Sequence, residues 1–394
     1  MTTAVVVAGH LCLDIIPDLS HVSYDTLRAL FAPGRLIEVG SVNFSTGGPV
    51  SNVGLALHRL GVPVRLMGKV GDDLFGHAIR EAIARYDPAL VTGMIVAPGV
   101  ASSYTIVISP AGSDRVFLHC PGANDTFDAD DIRYDLLETA SIFHFGYPPV
   151  MRRMYEDNGE QLAAVFRRAK ATGVTTSLDM ALPDPHSAAG RADWLRICRA
   201  TLPYVDIFLP SIEEILFMLR RPTYEALRRQ ADDGSILPLV TPDLLSDVAA
   251  GLMEMGVRVV GLKLGDRGFY LRTSTAAALA DMGRGRPAQP AAWAERELWA
   301  PCFRARFVGA TGSGDATIAG FLAALWRGLS AEEAATAAVA VGACNVEAAD
   351  TLSGLRSWEE TMARVAAGWE RHPLALTAAG WEWLPDRGLW RRVA

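Results

Sequence analysis

Residues 308–316 read VGATGSGDA, and residues 317–326, which are mostly apolar and predict a helix, follow directly. Glycines just before a helix let a ligand approach the main chain closely. The free N–H groups and the positive dipole end of such a helix bind anions. This stretch therefore predicts a loop that leads into a helix and forms an anion site, with the carboxylate of Asp315 inside it.

Two common phosphate-binding motifs do not fit this stretch. Gly309 and Gly314 have P-loop spacing, but Asp315 and Ala316 stand where a P-loop needs Lys and Ser or Thr. Thr317 takes the third glycine position of a GxGxxG motif. An anion cradle with a carboxylate remains, and a phosphotransferase can use that carboxylate to accept the proton of an attacking hydroxyl.

Asp315 has two interpretations at this point. The positive end of the helix is expected to keep its carboxylate ionised at neutral pH, as a general base requires. The same residue could serve only as an ordinary capping carboxylate of the helix N-terminus. The residues of this stretch leave both interpretations open.

Short β-rich runs alternate with helical segments along most of the 394-residue chain. Strands that alternate with helices of roughly 10–15 residues are typical of βαβ units and of a mostly parallel sheet. The predicted strands are residues 4–8, 64–70, 141–145, 175–179, 206–209 and 257–264, and the predicted helices are residues 49–60, 74–86, 160–171 and one opened by Thr241. We therefore expect an α/β fold, with residues 1–367 as one large domain.

Two regions, residues 30–46 and 101–120, predict strands without helices between them. The second region contains SSYTIVIS and RVFLH on either side of a turn, which is a hairpin pattern. A small β excursion from an α/β core is expected to form a lid over a site. Arg115 on this hairpin and Asn124 after it are candidate neighbours of a substrate, although both could be solvated loop residues.

Two further segments do not follow the alternation. Residues 281–292 (DMGRGRPAQPAA) are rich in Gly, Pro and Arg and predict a surface loop between strands. Residues 368–394 carry four tryptophans, Trp369, Trp381, Trp383 and Trp390. We expect this C-terminal tail to pack on the domain through apolar contacts, with a subunit contact as the alternative.

Charge and hydropathy exclude several classes of protein. With 37 basic and 44 acidic residues the net charge is −7, which argues against a general nucleic-acid binder. No apolar run approaches the roughly 18–20 residues of a membrane helix, and the N-terminal MTTAVVVAGH predicts a first strand rather than a signal peptide. The five cysteines are widely spaced and never form CxxC, which suits reduced thiols in the cytoplasm.

The glycine-rich stretch resembles a known signature. Residues 309–315 (GATGSGD) are similar to Asp-Thr-x-Gly-Ala-Gly-Asp, which precedes a helix in the ribokinase-like sugar kinases, also called the phosphofructokinase-B or PfkB family. The glycines and the final Asp match. Ser313 replaces Ala, whereas Gly309 and Ala310 replace the Asp-Thr pair.

The N-terminal signature of that family, Gly-Gly-x-x-x-Asn before a helix and then Gly-x-Asp-x-x-Gly, is also similar to this chain. Residues 47–52 read GGPVSN, and residues 71–76 read GDDLFG. The resemblance covers about residues 4–365. It implies a ribokinase-like three-layer α/β/α sandwich with a mostly parallel central sheet and a small β-sheet lid.

The resemblance implies an ATP-dependent sugar kinase. Asp315 would be the general base, and main-chain N–H groups would form an anion hole at Gly312, Ser313 and Gly314. The sugar would bind to residues near the N-terminus, which are Asp14, Asn43, Gly47, Gly48 and Asn52. Two glycines leave room for a sugar beside the main chain, and the Asn52 amide can donate one hydrogen bond and accept another. Asp14, which follows the first predicted strand, can accept from two vicinal hydroxyls or could be a turn residue.

On the nucleotide side, the resemblance implies contacts from Lys263, Gly265 and Gly268 in the segment LKLGDRG, and from Asn345. Residues 210–214 (PSIEE) are similar to the family's Pro-Asn-x-x-Glu, so Glu214 would organise Mg²⁺ through water. Without the resemblance, Glu214 is a first-turn helix acid stabilised by the dipole, and Asn345 is a helix-surface residue.

The implied cofactors are ATP and Mg²⁺. The family also places a monovalent cation such as K⁺ near this site, but Gly309 and Ala310 supply no carboxylate for it, so the sequence leaves that ion open. The implied partner is a small-molecule sugar, with no nucleic acid and no membrane. The lid could also form a homodimer through apolar residues that could equally cover the sugar site, namely Tyr104, Ile106 and Ile108.

Two alternatives remain at this stage. A nucleoside kinase of the same fold needs the same Asp and glycine cradle, together with an aromatic stacking partner in the lid, for which Phe44, Tyr104 and Phe117 are available. A non-catalytic sugar- or nucleotide-binding sensor would fit the departures near the phosphates. The retained Asp315 and Glu214 argue against a sensor.

Overall fold

The computed structural model of the protein describes residues 4–22, 33–34, 36–109, 116–232 and 234–393. The strands, in chain order, are β1 (Val5–Gly9), β2 (Cys12–Pro17), β3 (Val42–Gly47), β4 (Val64–Met67), β5 (Lys69–Gly71), β6 (Ile95–Ala97), β7 (Tyr104–Ile108), β8 (Val116–Cys120), β9 (Ile142–Gly146), β10 (Thr175–Leu178), β11 (Ile207–Phe208), β12 (Val259–Lys263), β13 (Phe269–Thr273), β14 (Glu297–Ala300), β15 (Trp381–Leu384) and β16 (Leu389–Arg392). The α-helices are α1 (Pro49–Arg59), α2 (Leu74–Ala84), α3 (Tyr134–Leu137), α4 (Arg152–Tyr155), α5 (Glu160–Ala171), α6 (Trp194–Thr201), α7 (Ile212–Leu219), α8 (Arg221–Gln230), α9 (Pro242–Glu254), α10 (Ala276–Ala280), α11 (Pro290–Trp293), α12 (Ser313–Trp326), α13 (Ala331–Asn345) and α14 (Trp358–Ala366).

Ten strands form the main sheet, in the order β15-β16-β14-β13-β12-β11-β10-β9-β1-β4. The strands from β12 to β4 run parallel, whereas β13, β14, β16 and β15 are antiparallel to their neighbours. The single strand predicted at residues 64–70 is divided at Gly68 into β4 and β5. The helix predicted at residues 317–326 begins four residues earlier, at Ser313, so Asp315 lies inside the helix and not in the loop before it. The other strands and helices named above lie within two residues of the observed bounds, which confirms the mostly parallel sheet.

Both faces of this sheet are covered, because successive side chains of a strand point to opposite faces. Val5 and Val7 of β1 belong to one buried cluster with α1, α12 and α13. Val6 and Ala8 belong to a second cluster with α5, α7 and α9. All four side chains are fully buried. The three-layer α/β/α sandwich expected from the resemblance is therefore confirmed.

A separate four-stranded sheet has the order β3-β2-β7-β8. β7 and β8 form the predicted hairpin, and β3 belongs to the predicted segment 30–46. The strand β2 was not predicted: Asp14 lies inside it, opposite Ser45 of β3, and not in a loop after the first strand. Arg115, residues 30–32 and residue 35 lie outside the described residues. The small sheet thus carries a predicted substrate residue of its own.

The two segments that do not follow the alternation are both joined to the core. β16 pairs with β14, with Trp390 opposite Trp299, so the C-terminal hairpin extends the main sheet. The segment 281–292 lies between β13 and β14 and is mostly loop with many exposed residues, as predicted, but it is also anchored to the core. Met282 is fully buried, and Arg284 donates to the main-chain oxygens of Leu137, Ala140 and Thr172.

Packing rather than covalent cross-links holds these layers together. All five cysteines are free thiols, and Cys12, Cys198 and Cys344 are buried. Across the ranges that the structure describes, no helix has both the length and the apolar character that a membrane crossing requires.

Candidate active site

The predicted anion cradle lies at the N-terminus of α12. Gly312 precedes the helix with a φ of +74°, a left-handed conformation that glycine adopts without strain. Among the described residues, no side chain caps this end. The N–H of Ser313 donates to the oxygen of Ala310 at 3.2 Å, so one N–H of the predicted anion hole is bonded within the turn. The rest of the first turn presents its N–H groups to an anion.

Asp315 lies in the first turn of α12 and is 2% exposed. Asn52 of α1, 263 positions away in the chain, donates from Nδ2 to Asp315 Oδ2 at 2.9 Å. The hydroxyl of Tyr147, which follows β9, lies 3.1 Å from Asp315 Oδ1 and 3.0 Å from Oδ2. The two glycine-rich motifs therefore meet at one carboxylate, which is bonded to other elements of the fold.

The pKa of Asp315 is raised above its ordinary value because the carboxyl group is buried. The hydrogen bond from Asn52, the charge of Lys263 and the hydrogen bond from Tyr147 oppose that rise, and the charge of Glu214 adds to it. The expectation from the helix dipole alone omitted this cost of desolvation. A carboxylate with a raised pKa is a better proton acceptor once it is ionised.

A buried ion pair lies beside the cradle. Lys263, at the end of β12, places Nζ 2.5 Å from Oδ1 of Asp179, and the two side chains are 12% and 0% exposed. A Cβ added at Gly314 would lie 3.8 Å from this Nζ, so the ammonium group adjoins the first turn of α12. Burial lowers the pKa of Lys263, but the nearby carboxylates outweigh it and raise the pKa, so the side chain is a cation.

Asp179 and Glu214, two carboxylates that raise the pKa of Lys263, differ in their hydrogen bonds. Burial raises the pKa of Asp179, and its Oδ2 has no partner within the described part of the chain. Glu214 accepts from the N–H of Ser211 at 2.7 Å, while Ser211 Oγ accepts from the N–H of Glu214, so the two residues cap α7. The first-turn role that the sequence alone suggested for Glu214 is therefore present.

The residues that were predicted to bind the sugar lie on one side of Asp315, on β2, β3 and the start of α1. Asp14 accepts from the Cys12 thiol at 3.4 Å, and burial raises the pKa of Asp14 to about 6. A Cβ added at Gly47 would lie 2.5 Å from Asp14 Oδ2, so the glycine lets the carboxylate approach the main chain. Gly48 precedes α1 against His10. Asn43 is exposed and lies nearer the free end of β3, opposite Ile16.

On the other side of the cradle lies an open cleft. Its lining is mostly apolar and main chain, and it includes the predicted residues Lys263, Gly265, Gly268, Ser313 and Gly314. Asn345 is not among the residues that line this cleft, and its contact with the nucleotide stays a prediction. Its Nδ2 donates to the oxygen of Thr351 at 2.7 Å, which ties the end of α13 to the loop that follows.

With this geometry established, the chain can be compared with known families. The sequence model of the pfkB family carbohydrate kinases matches residues 2–358. The chain belongs to the PfkB family. The resemblance seen in the two glycine-rich motifs is thus confirmed over most of the sequence.

Relatives of this PfkB-family chain include sugar kinases of plants and archaea. It is 27% identical over 219 residues to fructokinase-2 of Oryza sativa subsp. japonica, which covers 54% of this chain and 59% of that protein. It is 30% identical over 140 residues to a fructokinase of Solanum tuberosum, which covers 35% of this chain and 40% of that protein. An uncharacterised sugar kinase of Archaeoglobus fulgidus is 24% identical over 279 residues, 71% of this chain and 89% of that protein. The chain thus spans 40–59% of the length of the two plant relatives.

Solved structures share the fold of this PfkB-family chain. Ribokinase of Arabidopsis thaliana, in complex with ribose and ATP, has a TM-score of 0.68 at 19% identity over 92% of this chain and 98% of that chain. Fructokinase of Xylella fastidiosa, with bound ATP, has a TM-score of 0.68 at 17% identity over 93% and 99% of the two chains. At these identities the likeness establishes the ribokinase-like fold.

Three residues of the site were not predicted from the sequence: His10, Tyr147 and Asp179. Each directly follows a strand, and these strands, β1, β9 and β10, are neighbours in the main sheet. Polar residues at the carboxyl ends of adjacent parallel strands form ligand sites in α/β folds. The strand bounds carried this signal, but the strand order that brings the residues together could not be obtained from them.

His10 adds a neutral imidazole to the sugar side. It is 4% exposed, and neither ring nitrogen has a partner among the described residues. Burial and, to a smaller extent, the nearby His119, whose ring centroid is 5.1 Å away, together lower the pKa of His10 to about 3. A neutral imidazole can donate at one nitrogen and accept at the other, which suits a sugar hydroxyl.

Proposed function

We propose that this PfkB-family protein transfers the γ-phosphate of ATP to a hydroxyl of a sugar, with Asp315 as the general base. The proposal rests on the position of Asp315, which lies between hydrogen-bonding side chains and the N-terminus of a helix. Asn52 and Tyr147 bond to it on one side, and the open end of α12 lies beside Lys263 on the other. A carboxylate between hydroxyl-binding groups and a phosphate cradle is what phosphoryl transfer to an alcohol requires.

The sugar would lie against Asp14, Gly47 and Asn52, with His10 as a further hydrogen-bonding group. Asp315 would accept the proton of the attacking hydroxyl on a carboxylate oxygen. Main-chain N–H groups of the first turn of α12 and the ammonium group of Lys263 would stabilise charge on the transferring phosphoryl group. Closure of the small sheet would exclude water and so limit hydrolysis of ATP.

The residues near the cradle suit Mg²⁺ that is carried mainly by the nucleotide. Asp179 Oδ2 is a buried oxygen without a partner in the described ranges, and Glu214 adds a second carboxylate. Within those same ranges no group of three or more potential metal ligands is found, so the phosphates must supply most of the coordination. When bound, Mg²⁺ neutralises charge on the phosphates, and Asp179 and Glu214 would hold it directly or through water.

A monovalent cation such as K⁺ also fits the loops around Gly312. Three buried side-chain oxygens there lack a partner within the described residues, and they are Thr311 Oγ1, Asn345 Oδ1 and Thr351 Oγ1. These hydroxyl and amide oxygens are neutral ligands, which suit an ion of single charge. Comparing turnover in potassium chloride and in tetramethylammonium chloride at equal ionic strength tests this part of the proposal.

The aromatic residues of the lid bear on the nucleoside-kinase alternative and on the oligomeric state. Tyr104 packs edge-on against Phe75 of α2 with ring centroids 5.4 Å apart, so its ring is engaged with the body of the domain, which argues against Tyr104 as a stacking partner for a nucleoside. Phe44 and Phe117 of the lid are 62% and 55% exposed, which supports a homodimer formed through the lid.

We propose that the protein works in the cytoplasm, where its five free thiols stay reduced.

An ADP-release assay with MgATP over hexoses, pentoses, sugar acids and nucleosides tests the proposed function. We expect one sugar or a small set of related sugars to raise ADP release well above the rate without acceptor. Release raised only by nucleosides would replace the sugar-kinase proposal with the nucleoside-kinase alternative. No acceptor-dependent release, together with binding of ATP and sugar in a thermal-shift assay, would favour the sensor. Light scattering during gel filtration tests the dimer.

A further inference from the structure

The C-terminal tail adds a short strand beside the cleft. The residues that match the family end at residue 358, so the tail lies outside them. The N–H of Arg304 nevertheless donates to the oxygen of Glu370, and the N–H of His372 donates to the oxygen of Cys302, both at 2.8 Å. Tail residues 370–372 therefore pair in antiparallel fashion with residues 302–304, in the segment that connects β14 to α12.

Aromatic and cationic side chains of the tail reinforce this pairing. The Trp369 ring stacks on Phe303 with centroids 4.6 Å apart and 19° between the planes, and its Nε1 donates to the oxygen of Arg304 at 2.6 Å. The Arg371 guanidinium lies 4.1 Å from the centroid of the Phe303 ring and donates to the oxygen of Pro301 at 2.7 Å. Phe303, which is 3% exposed, is thus held by two tail side chains.

The segment held by the tail is a wall of the cleft. Cys302, Phe303 and Ala305 line the cleft, and His372 of the tail lines it as well. Lys263 and the first turn of α12 form the end where phosphates would bind. Away from that end, the lining side chains that carry a nitrogen or oxygen atom are Asp266, Thr317 and His372, and the Thr317 hydroxyl already donates to the oxygen of Ser313.

We propose that tail residues 369–372 are part of the nucleotide site. The tail fixes the apolar wall along which the nucleobase lies, and the His372 side chain contacts the base or the ribose of a nucleoside triphosphate. This inference rests on the proposed kinase function and adds to it a binding element outside the matched family region. A mostly apolar slot with few polar groups is the usual form of a nucleobase site, and those groups set which base binds.

Calorimetric titration of the full chain with the magnesium complex of AMP-PNP tests the inference. We expect His372→Ala to raise the Kd for AMP-PNP roughly three- to tenfold, the effect of one lost polar contact. Trp369→Ala should raise it at least as much, because it releases the wall. Trp383→Ala is the matched control: this tail indole is 40% exposed on β15 and should leave the Kd within about twofold. The KM for the sugar should stay within about twofold in His372→Ala, which separates the two sides of the site.

Two results would overturn the inference, and they differ in what else they overturn. If the wild-type chain binds AMP-PNP and His372→Ala binds it equally well, the tail has no part in the nucleotide site, but the kinase proposal stands. If the wild-type chain neither binds AMP-PNP nor releases ADP with any sugar, both proposals fail. His372 is exposed, so its variant should fold normally, and its result decides the question if Trp369→Ala is unstable.

Discussion

The two sides of Asp315 are built differently. On the sugar side, four polar side chains converge from separate elements: Asp14 of β2, His10 after β1, Asn52 of α1 and Tyr147 after β9. On the nucleotide side, glycines, apolar side chains and the main chain at the start of α12 dominate, and Lys263 supplies the positive charge. The first side therefore depends on the identity of each side chain, and the second depends mostly on the path of the main chain.

The largest expected effect is at the residue that the two sides share. Asp315→Asn keeps the shape of the side chain but removes the proton acceptor, so we expect turnover to fall about 10²–10⁴-fold while sugar and ATP still bind. Steady-state ADP release and calorimetric Kd values measure the two effects. Asp281→Asn, the same change at a carboxylate that is 84% exposed, is the matched control. Unchanged turnover in Asp315→Asn would remove Asp315 from the mechanism.

The next largest effect is expected when the positive charge of Lys263 is removed from the nucleotide side. Lys263→Met leaves Asp179 buried without its partner, so we expect the free energy of unfolding to fall by about 3–5 kcal/mol. The double variant Lys263→Met, Asp179→Asn should recover most of that stability but little of the turnover, since the cation beside the phosphates is still missing. Urea denaturation and ADP release measure the two quantities.

A second buried lysine provides the control for that experiment. Lys170 lies 2.6 Å from Asp206, but Arg258 also pairs with Asp206 at 3.0 Å. Lys170→Met therefore leaves the carboxylate with one cation and should cost less stability than Lys263→Met, with turnover unchanged. An equal loss of turnover in both lysine variants would show that instability, and not the lost charge, explains the effect.

A pair of glycine substitutions compares the two sides directly. Gly47→Ala would place a Cβ 2.5 Å from Asp14 Oδ2 and must displace that carboxylate, so we expect the KM for the sugar to rise roughly 10–100-fold. Gly314→Ala would place its Cβ 3.6 Å from Lys263 Cδ, an ordinary contact, so we expect a smaller change, confined to the KM for ATP. A larger sugar KM in Gly314→Ala than in Gly47→Ala would contradict the assignment of the two sides.

The smallest effect concerns the pH dependence of turnover. The Tyr147 hydroxyl lowers the pKa of Asp315 by bonding to the ionised carboxylate, so Tyr147→Phe should raise that pKa. Turnover requires ionised Asp315, and the acid limb of the pH profile should therefore move to higher pH, with recovery at alkaline pH. A pH profile of kcat tests this, with Tyr86→Phe, whose ring is 54% exposed, as control. A uniform loss at every pH would indicate a merely structural role for Tyr147.

The comparison also explains how much could be predicted from the sequence. The cradle was predictable because glycines and Asp315 at fixed spacing before a helix are local features. The contact between Asn52 and Asp315 joins positions 263 residues apart, and the family resemblance brought both residues into one predicted site. Tyr147 depends on strand order, which local patterns do not contain.

Other differences have specific physical reasons. Asp14 was predicted to belong to the sugar site, but the strand β2 that carries it was not predicted. This strand pairs with β3 and also with the distant β7, and a local pattern does not contain such pairing. Asn345 was predicted to contact the nucleotide; its amide nitrogen donates to the main-chain oxygen of Thr351, a contact that the helix pattern did not indicate. The part of the tail in the cleft was not predictable, because a backbone pairing between residues 302 and 372 leaves no mark on the side-chain pattern.

The pairing of β16 with β14 also has a consequence for how the protein is made. During synthesis β14 leaves the ribosome about 90 residues before β16, so the edge of β14 stays unpaired until β16 emerges. An unpaired strand edge is a template for aggregation with other chains. The tail hairpin covers the edge of β14, so a chain cut before Leu389 would leave that edge unpaired.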